Sequence, residues 1–298
     1  MSKRILGVNK ETGRAMPLIE NSRMVTLTSS DCSWKFGLLE RVDCGPYENP
    51  DLISLNPTIC LLQSDGPVVG EIRLRGKTHR ATFLNEYVSL IPTGEVGQWS
   101  CQDPHGTLMF SINSGLFADI ALDAGLPANG DLPLAAPLHD EFVRAVMLAL
   151  REEAHSGFAS GQMYGDSIAT ALAAHLMTKY SLSKHKLTAP KGKMGTDAVN
   201  EVVEWLNEHY TKDVSVAELS AQANLSPYHF CRLFKSSTGM TPHQYLIKIR
   251  LKAARELVKS DTNLTLKQIA QRVGFFDASH LSRHFKRMYG INLMELKK

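Results

Sequence analysis

Two stretches of the chain carry the side chains best suited to chemistry on a partner: "SPYHFCRLFKSSTGMTP" (226–242) and "DASHLSRHFKRMYGINL" (277–293). Arg232 and Arg283 stand at matched positions, as do Lys235 and Lys286. Tyr228 and Cys231 flank the first pair, Ser279 and Ser282 the second. On one face of a helix, Arg and short polar groups can hydrogen-bond to base edges while Lys meets phosphate. The competing reading is a solvated basic face, and for Tyr228 a helix-start aromatic packed locally. Recurrence of Arg at one site in two copies favours groove contact.

Other reactive side chains point to less. His280 and His284 have the i, i+4 spacing of a zinc pair, but no third ligand is evident, and His284 aligns with the apolar Leu233, so packed histidines are expected. The five cysteines (Cys32, Cys44, Cys60, Cys101, Cys231) are scattered without C-x-x-C spacing, as expected of reduced thiols rather than of a disulfide framework or zinc site. Cys231 next to Arg232 could be a redox switch; a small neutral filler is the plainer reading. Trp34, Tyr87, Trp99 and His105 are candidates for a pocket lining or simply for core. No catalytic residue, metal or cofactor is assigned.

The elements that must position these side chains are legible because they repeat, at an offset of fifty and then fifty-one after one extra residue. Ser215-x-x-Glu218 and Thr265-x-x-Gln268 are capping boxes. A short helix follows in each copy, with small residues at Ser220 and Ala270. Asn224 and Gly274 then supply a turn tolerant of positive φ. Ser226 and Asp277 cap a second helix, and Gly239 and Gly290 end it. Phe230, Leu233 and Phe234, answered by Leu281, His284 and Phe285, form its inner stripe. Helix, tight turn and a helix with a polar outer face make a helix-turn-helix unit, at about 215–236 and about 265–287. Between the units, "PHQYLIKIRLKAARELVKSD" (242–261) reads as one long helix with a stripe of Leu246, Ile249, Ala253 and Leu257. A helix over 197–210 precedes the first unit.

Residues 181–196 are polar, basic and Pro/Gly-punctuated, which predicts a linker. The part before it, 20–180, predicts short strands over about 22–118, then helices over 139–155 and 164–180. Phe142, Val146, Ala149 and Leu150 form one helical stripe; Ile168, Leu172, His175 and Leu176 form the other, with Asp166 as a possible cap. Residues 191–298 carry 17 basic against 10 acidic side chains, a balance of +7, and the remainder 16 against 20, a balance of −4. A basic back on an acidic front suits a polyanionic partner. No apolar run is long enough to span a membrane and no secretory signal is evident, so a cytoplasmic location is expected.

Residues about 197–298 resemble the DNA-binding domain of the AraC/XylS family of bacterial transcription regulators, through "LSPYHFCRLFKSSTGMTPHQYL", "RLKAARELV" and "IAQRVGFFDASHLSRHFKRMYGINL". The resemblance implies a seven-helix domain whose third and sixth helices read double-stranded DNA, through Tyr228, Cys231, Arg232, Ser279, Ser282 and Arg283. Cys231 and Ala278 replace longer polar side chains of the pattern. The segment "NEYVSLIPTGEVGQWSCQDP" (85–104) is similar to the cupin-type sensor domain of the same family. Pro92 and Gly94 keep the pattern, but Gly97 stands where a metal-binding histidine would, and His79 has no H-x-H partner, so a pocket there would bind rather than transform.

The expectation is therefore an α+β multidomain protein: a β-rich, cupin-like barrel with two helices (20–180), a linker (181–196) and an all-α domain with two helix-turn-helix units (197–298). The implied function is transcription regulation, more often activation, with a small-molecule effector, a homodimer and RNA polymerase as possible partners. The alternatives are an enzymatic, DNA-repair-like front domain, or a front domain that makes only protein contacts.

Overall fold

The computed structural model describes all residues except 1–3, 20–21, 75–76, 124–131, 183–193, 261–262 and 298. Among the described residues twelve strands come first: β1 (Leu6–Asn9), β2 (Ala15–Pro17), β3 (Ser22–Thr28), β4 (Gly37–Cys44), β5 (Tyr47–Glu48) and β6 (Leu52–Ser54), then β7 (Thr58–Gln63), β8 (Val68–Leu74), β9 (Lys77–Phe83), β10 (Val88–Ile91), β11 (Gly94–Cys101) and β12 (His105–Ile112). They form two sheets. One has the order β2-β1-β6-β11-β8-β9, with β5 added on β11; the other runs β10-β7-β12-β4-β3. The β-rich front is thus present, and its sheet begins earlier than expected, at Leu6.

Central β12 is buried at all eight positions, with β4 and β7 paired antiparallel on its two sides. A strand covered on both faces needs no polar alternation, and Leu108, Met109, Phe110 and Ile112 are almost wholly enclosed.

Three helices follow: α1 (Ser114–Asp123), α2 (Glu141–His155) and α3 (Gly161–Tyr180). Helix α1 was not anticipated. The Asn113 side chain accepts a hydrogen bond from Gly115 N at 2.7 Å, and Leu116, Phe117, Ile120 and Ala121 are buried. In α2 the buried row is Val143, Met147, Leu150 and Ala154, not the stripe through Phe142 and Val146. Phe142 is 43% exposed, its ring 4.6 Å from that of His175. Both rows keep helical spacing, but the one at 143, 147, 150 and 154 is apolar over three turns, whereas the one begun at 142 reaches Glu153.

Asp140 joins α2 to the far part of α3. Its Oδ1 accepts from Phe142 N and Val143 N at 2.9 and 3.1 Å, and its Oδ2 meets His175, Lys179 and Tyr180 at 2.7, 2.9 and 2.8 Å. Asp166 lies inside α3 rather than capping it, and is buried.

The remainder is helical: α4 (Thr196–His209), α5 (Val216–Gln222), α6 (Pro227–Thr238), α7 (Pro242–Ser260), α8 (Leu266–Arg272), α9 (Ala278–Tyr289) and a closing 3-10 turn, Leu293–Lys297. Contacts group the chain into two units, Met1–His155 with Ala169–Thr188, and Ser156–Ile168 with Ala189–Lys298. The first turns of α3 therefore count with the C-terminal unit. Most of the expected linker, 183–193, lies outside the described residues.

Candidate nucleic-acid interface

The two helix-turn-helix units are built by the same backbone devices. Ser215 and Glu218 close a capping box on α5, and Thr265 and Gln268 close one on α8. In the first turn Asn224 N donates to Ala221 O at 3.1 Å and Leu225 N to Ser220 O at 2.9 Å. In the second, Gly274 N donates to Gln271 O at 3.4 Å and Phe275 N to Ala270 O at 2.9 Å. Asn224 has φ 50° and Gly274 φ 80°, the left-handed conformation that these two residue types adopt most readily. Ser226 then accepts from His229 N and Asp277 from His280 N, starting α6 and α9. Gly239 and Gly290, both left-handed, end them. The extra residue of the second copy is Phe276, 63% exposed just before the Asp277 cap.

The second copy presents its side chains openly. Ser279, Arg283 and Lys286, at i, i+4 and i+7, are exposed on α9, and Ser282 is half-buried. The first copy is more constrained. Lys235 is exposed and Arg232 half-buried, but Tyr228 is only 7% exposed. Arg232 Nη1 donates to Tyr228 Oη at 2.5 Å, with the guanidinium 5.4 Å from the ring centroid. This contact leaves most of the five guanidinium donors for another acceptor. Tyr228 thereby orients Arg232 rather than offering a free face of its own. Cys231 is half-buried; burial, and then the Asp166 carboxylate, push its thiol up to about 12, so it is a neutral thiol at physiological pH.

Helix α7 holds the two units apart. Its buried row is Leu246, Ile247, Arg250, Leu251, Ala254 and Val258. The row expected through Ile249, Ala253 and Leu257 is half-buried, because Arg250 occupies the inner face. Its Nε donates to Tyr210 O at 2.7 Å and its Nη2 to Lys212 O at 2.8 Å. The Gly274 turn meets the same segment: a Cβ on Gly274 would lie 2.8 Å from Tyr210 O and 2.9 Å from Thr211 Cα. Residues 210–212 thus touch both the spacer helix and the turn of the second unit. Leu251, Ala254, Val258, Ile269, Phe285 and Leu293 share one core, fastening α7, α8, α9 and the closing turn together.

His280 is 3% exposed, and neither ring nitrogen has a hydrogen-bond partner among the described residues. It stands edge-on to His284, with centroids 4.6 Å apart, and 5.3 Å from Phe275. Burial first, then the His284 and Arg283 charges, lower its pKa from 6.5 to about 4. A depressed histidine contributes stability above its unfolded pKa and loses it on acidification, because the unfolded chain takes up the proton first. Between pH 6.5 and 4 this residue is expected to remove up to about 1.4 kcal/mol per pH unit. Denaturant titrations of the wild type and His280→Phe at pH 7 and 5 check this. The variant should show the shallower loss, and equal losses would count against it.

The front unit holds a second candidate site. Of the four side chains singled out there, Tyr87, Trp99 and His105 line one cavity of about 80 Å³ between the sheets. Trp34 lies elsewhere and packs edge-on against Phe110, centroids 6.3 Å apart. The nearby thiols are not activated: burial pushes Cys44 and Cys60 up to about 12 and raises Cys101.

A helix-turn-helix domain family matches residues 219–298. Over 88 residues the chain is 42% identical to the probable transcriptional regulator LumQ of Photobacterium leiognathi, covering 30% of this chain and 35% of that protein. Over 92 residues it is 38% identical to the HTH-type transcriptional activator RhaS of Klebsiella pneumoniae (strain 342), covering 30% and 32%. It spans about a third of the length of these curated relatives. Among solved structures, the DNA-binding domain of AdpA, a global transcriptional factor in complex with a target DNA, aligns with 34% of this chain and 89% of its own length, at 33% identity and TM-score 0.32. The C-terminal domain of this chain, with its paired units on one spacer helix, is an AraC/XylS-type helix-turn-helix domain.

Proposed function

We propose that the chain is a sequence-specific, double-stranded-DNA-binding transcription regulator, acting as an activator, whose front unit senses a small molecule or mediates self-association. The observation that carries this reading is the pair of helix-turn-helix units with matched internal hydrogen bonds on one spacer, with Arg and Lys at equivalent positions of both reading helices. Helix α7, with 19 residues, is about 28 Å long. Two units on such a spacer suit successive major-groove segments, about 34 Å apart along one face. In this reading Arg232, Ser279, Ser282 and Arg283 reach base edges, Lys235 and Lys286 meet phosphate, and Tyr228 and Cys231 shape the first reader.

The activator reading is supported by the similarity to RhaS. RNA polymerase is then a partner, and a homodimer through the front unit a further one. No helix among the described residues is long and apolar enough to cross a membrane; the cytoplasm is the proposed location because DNA is there. Nucleophilic repair chemistry at Cys44 or Cys60 is disfavoured because burial holds both thiols neutral, without the thiolate such chemistry needs. The cavity favours a sensor over a front unit that makes only protein contacts.

Selective enrichment of genomic DNA fragments by the full chain, at low and at physiological salt, tests the reading. Specific binding should persist at the higher salt and concentrate on few sites. Arg232→Ala and Arg283→Ala should each relax selectivity in a different half of the site, by about 1–3 kcal/mol. Binding that vanishes with salt and prefers no sequence would reduce the interface to a basic surface.

A further inference from the structure

The cavity of the front unit has a lining that restricts what could occupy it. Alternating positions of three successive strands of one sheet face it, Ser89 and Ile91 from β10, Cys60 and Leu62 from β7, and His105, Thr107 and Met109 from β12. Across the core, Val68, Phe83 and Trp99 close it from the other sheet. Among the described residues no Asp, Glu, Lys or Arg side chain lines it. A carboxylate, phosphate or ammonium group inside would be a buried charge without a counter-ion, which is strongly unfavourable. The His105 Nδ1 lies 2.8 Å from the Asp103 carbonyl oxygen, which can only accept. Nδ1 therefore carries the proton, and in the neutral ring Nε2 is an acceptor.

One polar atom in this lining is unsatisfied. The Tyr87 hydroxyl is buried and has no hydrogen-bond partner among the described residues. A buried hydroxyl without a partner costs free energy that a bound oxygen would recover. The volume, about 80 Å³, is well below the ~150 Å³ of an engineered cavity that takes benzene. Without outward movement of the walls it admits only a few non-hydrogen atoms.

We propose that this cavity binds a small, neutral, mainly apolar molecule with one hydrogen-bonding oxygen, a short-chain alcohol or ketone, with Tyr87 as its polar contact. The proposal rests on the sensor reading of the front unit and names its ligand class.

The test uses the full chain and two probes, butanone and butan-2-ol, against isobutyrate and isobutylammonium as charged counterparts of similar size, in thermal unfolding at low millimolar concentration. The neutral probes should raise the unfolding temperature of the front unit, since ligand binding to the folded state stabilises by mass action. The ions should not. Cys60→Leu fills the cavity with apolar volume, and Ser89→Val does so more gently; either should abolish the shift. Tyr87→Phe should leave the empty protein as stable or more so while weakening butan-2-ol binding by roughly tenfold, the size of one hydrogen bond.

Equal stabilisation by the ions, an undiminished shift in both filled variants, or no shift with either neutral probe would each overturn the proposal. DNA-fragment enrichment on the same preparation separates the two readings. Selective DNA binding without a probe response removes the ligand class and leaves the regulator standing. A probe response without selective DNA binding does the reverse.

Discussion

Gly274→Ala is expected to destabilise the C-terminal unit by about 2–5 kcal/mol, combining a methyl group forced into left-handed backbone, ~1–2 kcal/mol, with overpacking of a tight contact, ~1–3 kcal/mol. Both causes are local and visible: φ is 80°, and the new Cβ would lie 2.8–2.9 Å from the backbone of Tyr210 and Thr211, where no flexible side chain can yield. The matched position in the first copy supplies the control. Asn224→Gly relaxes a left-handed turn and adds no atoms, so its effect should stay within about 0.5 kcal/mol. Calorimetry of the full chain, resolving the two units, would show the difference. Gly274→Ala matching wild type would mean that the turn is not seated against residues 210–212.

Arg250→Met should cost about 2–4 kcal/mol, because it strips the charge-assisted donors from two backbone carbonyls and leaves them in a buried setting. Burial already disfavours the charge on Arg250, whose pKa is lowered to about 10. Its two hydrogen bonds, at 2.7 and 2.8 Å, and the Asp213 carboxylate work against that cost. Arg250→Lys offers a single ammonium in place of a planar fork and should recover only part of the loss. Near-wild-type stability for Arg250→Met would show that water replaces the guanidinium at those carbonyls. A further outcome is specific to the clamp. At temperatures where Arg250→Lys remains folded, binding to a bipartite DNA site should fall more than binding to either half alone.

The repeat was the most legible part of the molecule because its signals are local. A capping box joins residues three apart, and Ser215–Glu218 and Thr265–Gln268 form as their spacing requires. The front was less legible. Helix α1 carries Leu116, Phe117, Ile120 and Ala121 at helical spacing behind an Asn cap, yet directly follows a buried strand, so its apolar residues merge with those of β12. The stripes of α2 and α7 were each placed about one residue off, since sequence periodicity gives a row of apolar positions and the surroundings choose among adjacent rows. Arg250 is the clearest case: an arginine on an inner face looks wrong until the carbonyls at 210 and 212 are found beside it. Among the candidate DNA-contacting residues, Arg283, Lys286 and Ser279 lie open, as a solvent-facing row suggests. The burial of Tyr228 under Arg232 had no signature beyond their i, i+4 spacing.

In the proposed function, the two readers are unlike each other. One shows Arg232 braced on a tyrosine beside a neutral thiol, the other Arg283 between two serines, with an additional phenylalanine at its entrance. A pair of identical readers related by a two-fold axis would accept a palindrome and could not tell its two ends apart. This pair cannot be exchanged without changing what is read, so any sequence fitting both at once has a beginning and an end. Reversing that sequence in a promoter creates a different site, and a single bound molecule would face one way along the DNA, toward one of the two genes flanking it.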